Sequence, residues 1–376
     1  MNEKEIAELR RRFRPDRSSI THIRGCFVNE SREIVSQFDQ SMGMLGQDDA
    51  ELILATIRRT LSGTLGKNLV DIEFATAQVV DGDEHKLLMV LRDSALKHED
   101  TVQALFQRVI ASLDIEGNYL ILLARDAYDV PYRSQDGEKQ ADASSESFSY
   151  ILCSICPVKL TKPALSYAAE RSEFSHLKVD WVVSPPELGF LFPAFDDRST
   201  NLYGALYYTK DVTESHKDFI DAIFRTEPPM PAAAQKETFQ SLLGETLADE
   251  CSYEVVQAVQ GELCGMIAVH KESKEPEPLV LNKGAVRRVL SSCGVSKERA
   301  DIFEVQFDDS FGEETELSPR NLVDTKQIEV RTPDVKIQIS PDRGDLLETR
   351  VIDGAKYILI RADEGVEVNG VNIKIK

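Results

Sequence analysis

Reactive side chains stand close together at only a few places in this chain, and each admits a limited chemistry. Cys153-Ser-Ile-Cys156 has the spacing of a redox pair or of half a zinc site. A redox pair needs its first thiol at a helix N-terminus, where the dipole lowers the thiol pKa. Zinc needs a second closely spaced pair. Both cysteines instead fall in the apolar run SYILCSICPV, and residues i and i+3 of a strand face opposite sides. Two buried strand cysteines are the expectation, because Cys251, Cys264, Cys293 and His176 are too scattered to complete a site. Gly63-Thr-Leu-Gly66-Lys67-Asn68 imitates a phosphate loop, but its glycines are too close and Asn follows the lysine. Its order, helix then loop then strand, is also the reverse of what converges amides on an anion. Gly63 and Gly66 fit better as helix-terminating residues with positive φ. Pro341-Asp342, Glu348 and Arg350 fall short of a metal-dependent nuclease set, since the assisting lysine is missing. The sequence therefore offers no catalytic constellation, no metal site and no cofactor motif, and the non-enzymatic reading leads.

Two polar concentrations remain as candidate binding residues. The segment Trp181–Arg198 packs the single tryptophan, three phenylalanines and three prolines ahead of Asp196-Asp197-Arg198. Proline removes donors, so the segment cannot be a central strand along its whole length. Glu187, Asp196, Asp197 and Arg198 read either as a turn in which Arg198 pairs with an aspartate above a filled core, or as a carboxylate-rich recognition edge. The alternative is an enzyme or small-ligand-binding protein using this segment, in which case one of the three carboxylates should point inward into a pocket with a pKa raised by burial. The other concentration is Arg10, Arg11, Arg12, Arg14 and Arg17, opposed only by Asp16. It reads as a solvated helix end, as a surface for an acidic protein or RNA, or as a DNA contact.

The elements that must position these residues are read from periodicity. Asn2–Arg12 carries Ile6 and Leu9 on one side and reads as a short helix, stopped before Pro15. A hairpin follows through Asn29-Glu30-Ser31. Asp48–Leu61 reads as a helix, then strands at Leu69–Val80 and Lys86–Leu91 joined around Asp81-Gly82. A helix at Asp100–Leu113 precedes the apolar strand Tyr119–Ala124. Tyr132–Ser147 is polar and small, and reads as a disordered hairpin tip. Strands resume at Phe148–Ile155 and Asn201–Thr209, and Thr213 is placed to cap a helix burying Phe219, Ile220, Ile223 and Phe224. Three prolines in Glu227–Pro231 mark a boundary. Helices are expected at Ala232–Leu247, Tyr253–His270 and, capped by Asn282, up to Ser291. From Gln327 the period becomes two, with turns at Asp353-Gly354 and Asn369-Gly370.

The fold class is thus α+β. A mixed α/β N-terminal domain with a largely antiparallel sheet (1–226) precedes a helical segment (227–326) and a small antiparallel β meander (327–376). At 376 residues the chain is too long for a single core. No apolar run reaches the length of a membrane span, the N-terminus lacks a signal peptide, and scattered cysteines suit a cytoplasmic protein. A net charge of −20 repels polyanions at long range, so nucleic-acid binding would need a local basic patch. The expected partners are another protein or a second copy, with nucleic acid next, no membrane, and no small molecule named by any motif.

Two resemblances accompany this reading. MNEKEIAELRRRFRPD, LSGTLGKNLVDI and PPELGFLFPAFDDRSTNLYGALYYT identify the whole chain as resembling an uncharacterised domain-of-unknown-function family of bacterial cytoplasmic proteins. That resemblance implies no activity. Leu88–Val109, Lys217–Leu243 and Val335–Ile360 are, in that order, similar to three segments of the bacterial nucleoid-associated protein family. The second resemblance implies a multidomain, non-enzymatic interaction protein. The Pro-rich aromatic segment and Cys153–Cys156 have no counterpart there.

Overall fold

The structure, a computed structural model, describes residues 1–374 apart from 134–138, 178, 215, 228, 274, 276, 314 and 364. It divides into two compact units, Met1–Pro231 and Ala232–Lys376.

The first unit opens with helix α1 (Glu3–Arg10), whose Asn2 and Glu5 form a reciprocal capping box. The expected hairpin follows as β1 (His22–Val28) and β2 (Ile34–Ser41). Helix α2 (Gln47–Ile57) runs into a 3-10 turn at Arg58–Leu61. Strand β3 (Leu69–Glu73) then gives way to helices α3 (Thr76–Asp81), α4 (Asp83–Asp93) and α5 (Glu99–Ser112). Of the strand expected at Leu69–Val80 only Leu69–Glu73 forms, with residues 76–80 helical, and the strand expected at Lys86–Leu91 is a helix. Asp83 and Glu84 complement the dipole at the start of α4, and His85, Leu88 and Leu91 bury one helical face.

Strands β4 (Asn118–Arg133) and β5 (Lys139–Leu160) form the longest ladder of the sheet. Much of the tract expected to be a disordered tip continues this ladder, because strand pairing satisfies backbone groups whatever the side chains; residues 134–138 lie outside the described residues. Hairpin β6 (Ala164–Ala168) and β7 (Glu173–Leu177) precedes β8 (Trp181–Val183), β9 (Leu188–Phe192), β10 (Ala194–Asp196), β11 (Ser199–Asn201) and β12 (Gly204–Thr209). Helix α6 (Lys217–Phe224) ends the series. Thr213 does not cap it. Its hydroxyl donates to Asp211 instead, and His216 precedes the helix.

The main sheet has the order β2-β1-β4-β5-β9-β12-β3, with β8 also paired to β5, and every pairing is antiparallel. Both faces are covered. Leu88, Leu91, Phe106, Val109, Phe219 and Phe224 of α4, α5 and α6 share a core with Ile151, Cys153, Phe190, Phe192 and Tyr207. Ile6 and Leu9 of α1, with Leu54 and Ile57 of α2, share the other with Tyr150, Cys156, Leu191, Leu206 and Phe195. A strand buried on both faces loses the polar alternation, which is why β9 and β12 read LGFLF and GALYYT. Gly189 is where β9 passes closest to the 3-10 turn. A Cβ there would stand 2.3 Å from the Cys153 carbonyl oxygen and 2.5 Å from Thr60 Cγ2.

The second unit holds helices α7 (Ala232–Leu247), α8 (Tyr253–Ser273), α9 (Lys283–Ser292), α10 (Lys297–Phe311) and α11 (Pro319–Leu322) around Phe239, Leu263, Leu290, Phe303 and Phe307. Asn282 caps α9 as expected, accepting the Ala285 amide. The antiparallel C-terminal strands form three separate pairs: β13 (Ile328–Arg331) with β14 (Lys336–Ile339), β15 (Leu347–Ile352) with β16 (Ala355–Ile360), and β17 (Val366–Val368) with β18 (Val371–Ile373). Asp353-Gly354 and Asn369-Gly370 have φ of 50, 79, 51 and 84°, the left-handed pair of a tight two-residue turn.

Candidate functional site

The buried thiols can be set aside first. Cys153 faces the helix-covered core of α4–α6 and Cys156 the opposite one, as the spacing on a strand requires. Burial pushes both thiols up, Cys156 to about 12, so neither supplies a thiolate near neutrality. Gly63 and Gly66 take the expected positive φ, 100 and 73°; Gly63 follows the 3-10 turn that ends at Leu61, whereas Gly66 lies in the turn before β3 and not at a helix end.

The first-unit arginines divide sharply. Arg10 ends α1 and turns inward, its guanidinium donating to the carbonyls of Leu61 and Gly63. Arg12 is an internal anchor. Its Nε lies 2.9 Å from Asp126 Oδ2 and its Nη2 lies 3.2 Å from Oδ1, while Nη2 also donates to the Ala127 carbonyl. Asp126, only 1% exposed, further accepts the Ser19 amide and the Tyr150 hydroxyl. A buried carboxylate is tolerated only when its lone pairs are filled and its charge matched, and here both conditions hold. Burial opposes the Arg12 charge, yet the hydrogen bonds and charge of Asp126 hold the guanidinium above its ordinary pKa. The same guanidinium lies 4.6 Å from the centroid of the Tyr128 ring. Arg14 is exposed, and Arg11 and Arg17 are exposed as well.

Arg198 joins this group from a distant part of the chain. Asp197 and Arg198 are the central residues of the β10–β11 hairpin, with φ of 48 and 59°. The turn aims Arg198 at α1, where Nη1 lies 2.7 and 2.5 Å from the two Glu8 oxygens and Nη2 donates to the Pro131 carbonyl at 2.9 Å. The expected pairing of Arg198 with a neighbouring aspartate does not occur, because Arg198 reaches Glu8 while Asp196 is held by Asn201 and the Met1 amino group. Tyr128 donates its hydroxyl to the same Glu8 carboxylate. Burial, helped by Glu8, pushes the Tyr128 phenol up to about 12.

Together, Glu8, Arg11, Arg12, Arg17, Tyr128, Pro131 and Arg198 line a hollow of about 380 Å³. Of the candidates drawn from the sequence, the fold thus brings together Arg11, Arg12, Arg17 and Arg198. It leaves Arg10 and Arg14 outside the lining, together with Glu187, Asp196 and Asp197. Asp196 accepts from Asn201 Nδ2 at 2.6 Å and lies 2.7 Å from the Met1 amino group. Burial raises its pKa, but those two partners outweigh it and the net direction is down, opposite to that expected of an inward-facing acid. Asp197 is exposed at its turn. Glu187 borders a separate cleft of about 590 Å³, where Asp114, Glu116, Asp211 and Glu214 mix with Lys159, Lys210 and His216.

Glu8, Tyr128 and Asp126 were missed by sequence reasoning. Only Asp126 left a signal, an acid inside the apolar strand ILLARDAYDV that could be buried only with a cationic partner. Among the described residues no three His, Cys, Asp or Glu side chains converge as metal ligands, and no helix is long and apolar enough to cross a membrane.

The chain belongs to the family described as Domain of unknown function (DUF4317), which matches residues 1–371. No curated protein and no solved structure matches it.

Proposed function

We propose that the protein is a non-enzymatic binding protein whose arginine-lined hollow receives an anionic group. The observation that carries this reading is the lining itself: among the described residues, four guanidinium groups and one carboxylate surround a single concavity. Concave sites of this size hold small ligands, and the planar guanidinium fork suits oxyanions. Arg12 and Arg198 are fixed by hydrogen bonds to Asp126 and Glu8, so part of the donor array is ordered before any ligand arrives. A cytoplasmic location goes with this reading, six unpaired cysteines supporting it. Inorganic pyrophosphate, compact and multiply charged, is the probe. Titration calorimetry should give saturable, salt-sensitive binding that Arg11→Gln combined with Arg17→Gln removes without moving the melting temperature. An absence of saturable binding by the unaltered chain would remove the reading.

A second reading keeps the nucleoid-associated resemblance, with nucleic acid as the partner. Its support is that Arg11, Arg14 and Arg17 are all exposed on the turn after α1. Three such groups neutralise few phosphates, and the net charge of −20 opposes a long polyanion. A gel shift with duplex DNA decides it: salt-dependent retention that Arg14→Ala weakens favours nucleic acid, since Arg14 does not line the hollow.

A further inference from the structure

The charge around the hollow narrows the chemistry of its ligand. Arg12 is matched by Asp126 behind it, and Arg198 by Glu8 beside it. Arg11 has no side-chain hydrogen bond or ion pair among the described residues. Arg17 has Asp16 at 3.6 Å, but the two are 54% and 71% exposed, where solvent and salt reduce such a pair to little. Glu5, the next acid toward the N-terminus, is engaged by the α1 capping box and the Arg198 amide. Among the described residues, two positive charges on the lining are therefore left without a fixed counter-charge.

Resting on the anion-binding reading above, we infer that the ligand is a small phosphate monoester whose phosphate group bridges Arg11 and Arg17 and takes the Arg198 Nη1 donors from Glu8. A phosphate monoester carries about −1.5 to −2 at pH 7 and three acceptor oxygens, which matches two unmatched guanidinium groups and one shared one. A phosphodiester or a single carboxylate carries one charge and leaves one guanidinium unmatched. Glu8 occupies the hollow as an internal stand-in for such a group: it presents two oxygens to one guanidinium, the geometry an incoming oxyanion would reproduce. When it gives up Arg198, Glu8 keeps the Tyr128 hydroxyl, and Arg198 keeps the Pro131 carbonyl, so neither group loses every partner. The Arg12 guanidinium lies over one face of the Tyr128 ring, and the recognition inferred here is carried by the phosphate.

Calorimetric titration of the full chain with glycerol 1-phosphate, dimethyl phosphate, succinate and glycerol tests this. The monoester should bind roughly tenfold or more tightly than the diester or the dicarboxylate, the order expected for one added charge-assisted hydrogen bond. Its affinity should rise as pH increases through about 6, where the second phosphate proton leaves. Glu8→Gln, which keeps the side-chain shape and removes the competing charge, should tighten binding several-fold, and Arg11→Gln should weaken it. Succinate or dimethyl phosphate binding as tightly as the monoester would overturn the ligand class while leaving an anion site in place. Unchanged affinity in both Glu8→Gln and Tyr128→Phe, each of which alters how the internal carboxylate is held, would overturn the displacement. If neither these probes nor pyrophosphate bind, the anion site itself falls, and this inference with it.

Discussion

The arginine-lined hollow and the Glu187 cleft are both concave and charged, yet they are built in opposite ways. Among the described residues of the hollow one sign dominates, and two of its arginines are fixed by partners inside the protein, Arg12 on Asp126 and Arg198 on Glu8. In the cleft the signs are mixed. Its Lys210–Glu187 pair spans 3.9 Å between side chains 61% and 40% exposed. The difference teaches that charge density alone does not make a site. Charges of one sign can be held close together only where buried counter-charges anchor some of them, because in open solvent they would repel and rotate apart.

Removing the Asp126 anchor should have the largest effect. Asp126→Ala leaves the Arg12 guanidinium without its counter-charge and Tyr150 and Ser19 without an acceptor. The expected loss is about 3–5 kcal/mol, the range for breaking a buried pair from one side. Chemical denaturation measures it, and a loss below about 1 kcal/mol would mean that Arg12 finds solvent and the anchor is not rigid.

The two regions should also respond to opposite ends of the pH scale. The folded pKa of Tyr128 is raised from 10.0 to about 12, so its neutral form is favoured in the native state. That contribution is complete below pH 10 and is lost as pH rises from 10 through 12. Melting curves of Tyr128→Phe should therefore fall less steeply than the parent over that interval, and parallel curves would detach Tyr128 from the stability of the hollow. His216, on the cleft, goes the other way. Burial lowers its pKa below 6.5, and Glu214, Asp211 and Glu187 only partly offset this. A depressed histidine contributes stability above pH 6.5 that disappears as pH falls through the folded value. His216→Gln should lose less melting temperature than the parent between pH 7 and pH 5; an equal loss would show that His216 is not the titrating group.

The smallest effect is expected at the cleft's exposed pair. Glu187→Gln should change stability by less than about 0.5 kcal/mol, since an ion pair in solvent contributes little. A larger change in thermal unfolding would make the cleft an anchored site like the hollow, and the contrast between the two would fail.

Features decided by residues near one another in the chain were legible without the fold. The opposite facing of Cys153 and Cys156, the Asn282 cap and the turns at Asp353-Gly354 and Asn369-Gly370 follow from strand period, a three-residue hydrogen bond and local φ preferences. The prolines of Trp181–Arg198 ruled out one central strand along the whole segment, but the short strand β9 within it and its place between β5 and β12 were not legible. The stretch 74–93 shows where local reading ran out. Lys86–Leu91 is apolar enough to pass for a strand, and only packing of His85, Leu88 and Leu91 against the sheet settles the 3.6 period. The hollow lay further beyond reach. Arg12 and Asp126 are 114 residues apart, and Arg198 and Glu8 are 190 apart. Their meeting depends on the position of α1 over β4 and on the direction of the β10–β11 turn. Ion pairs between remote segments leave no periodic trace, because the chain can supply the same charges in many registers and only the closed tertiary fold selects one.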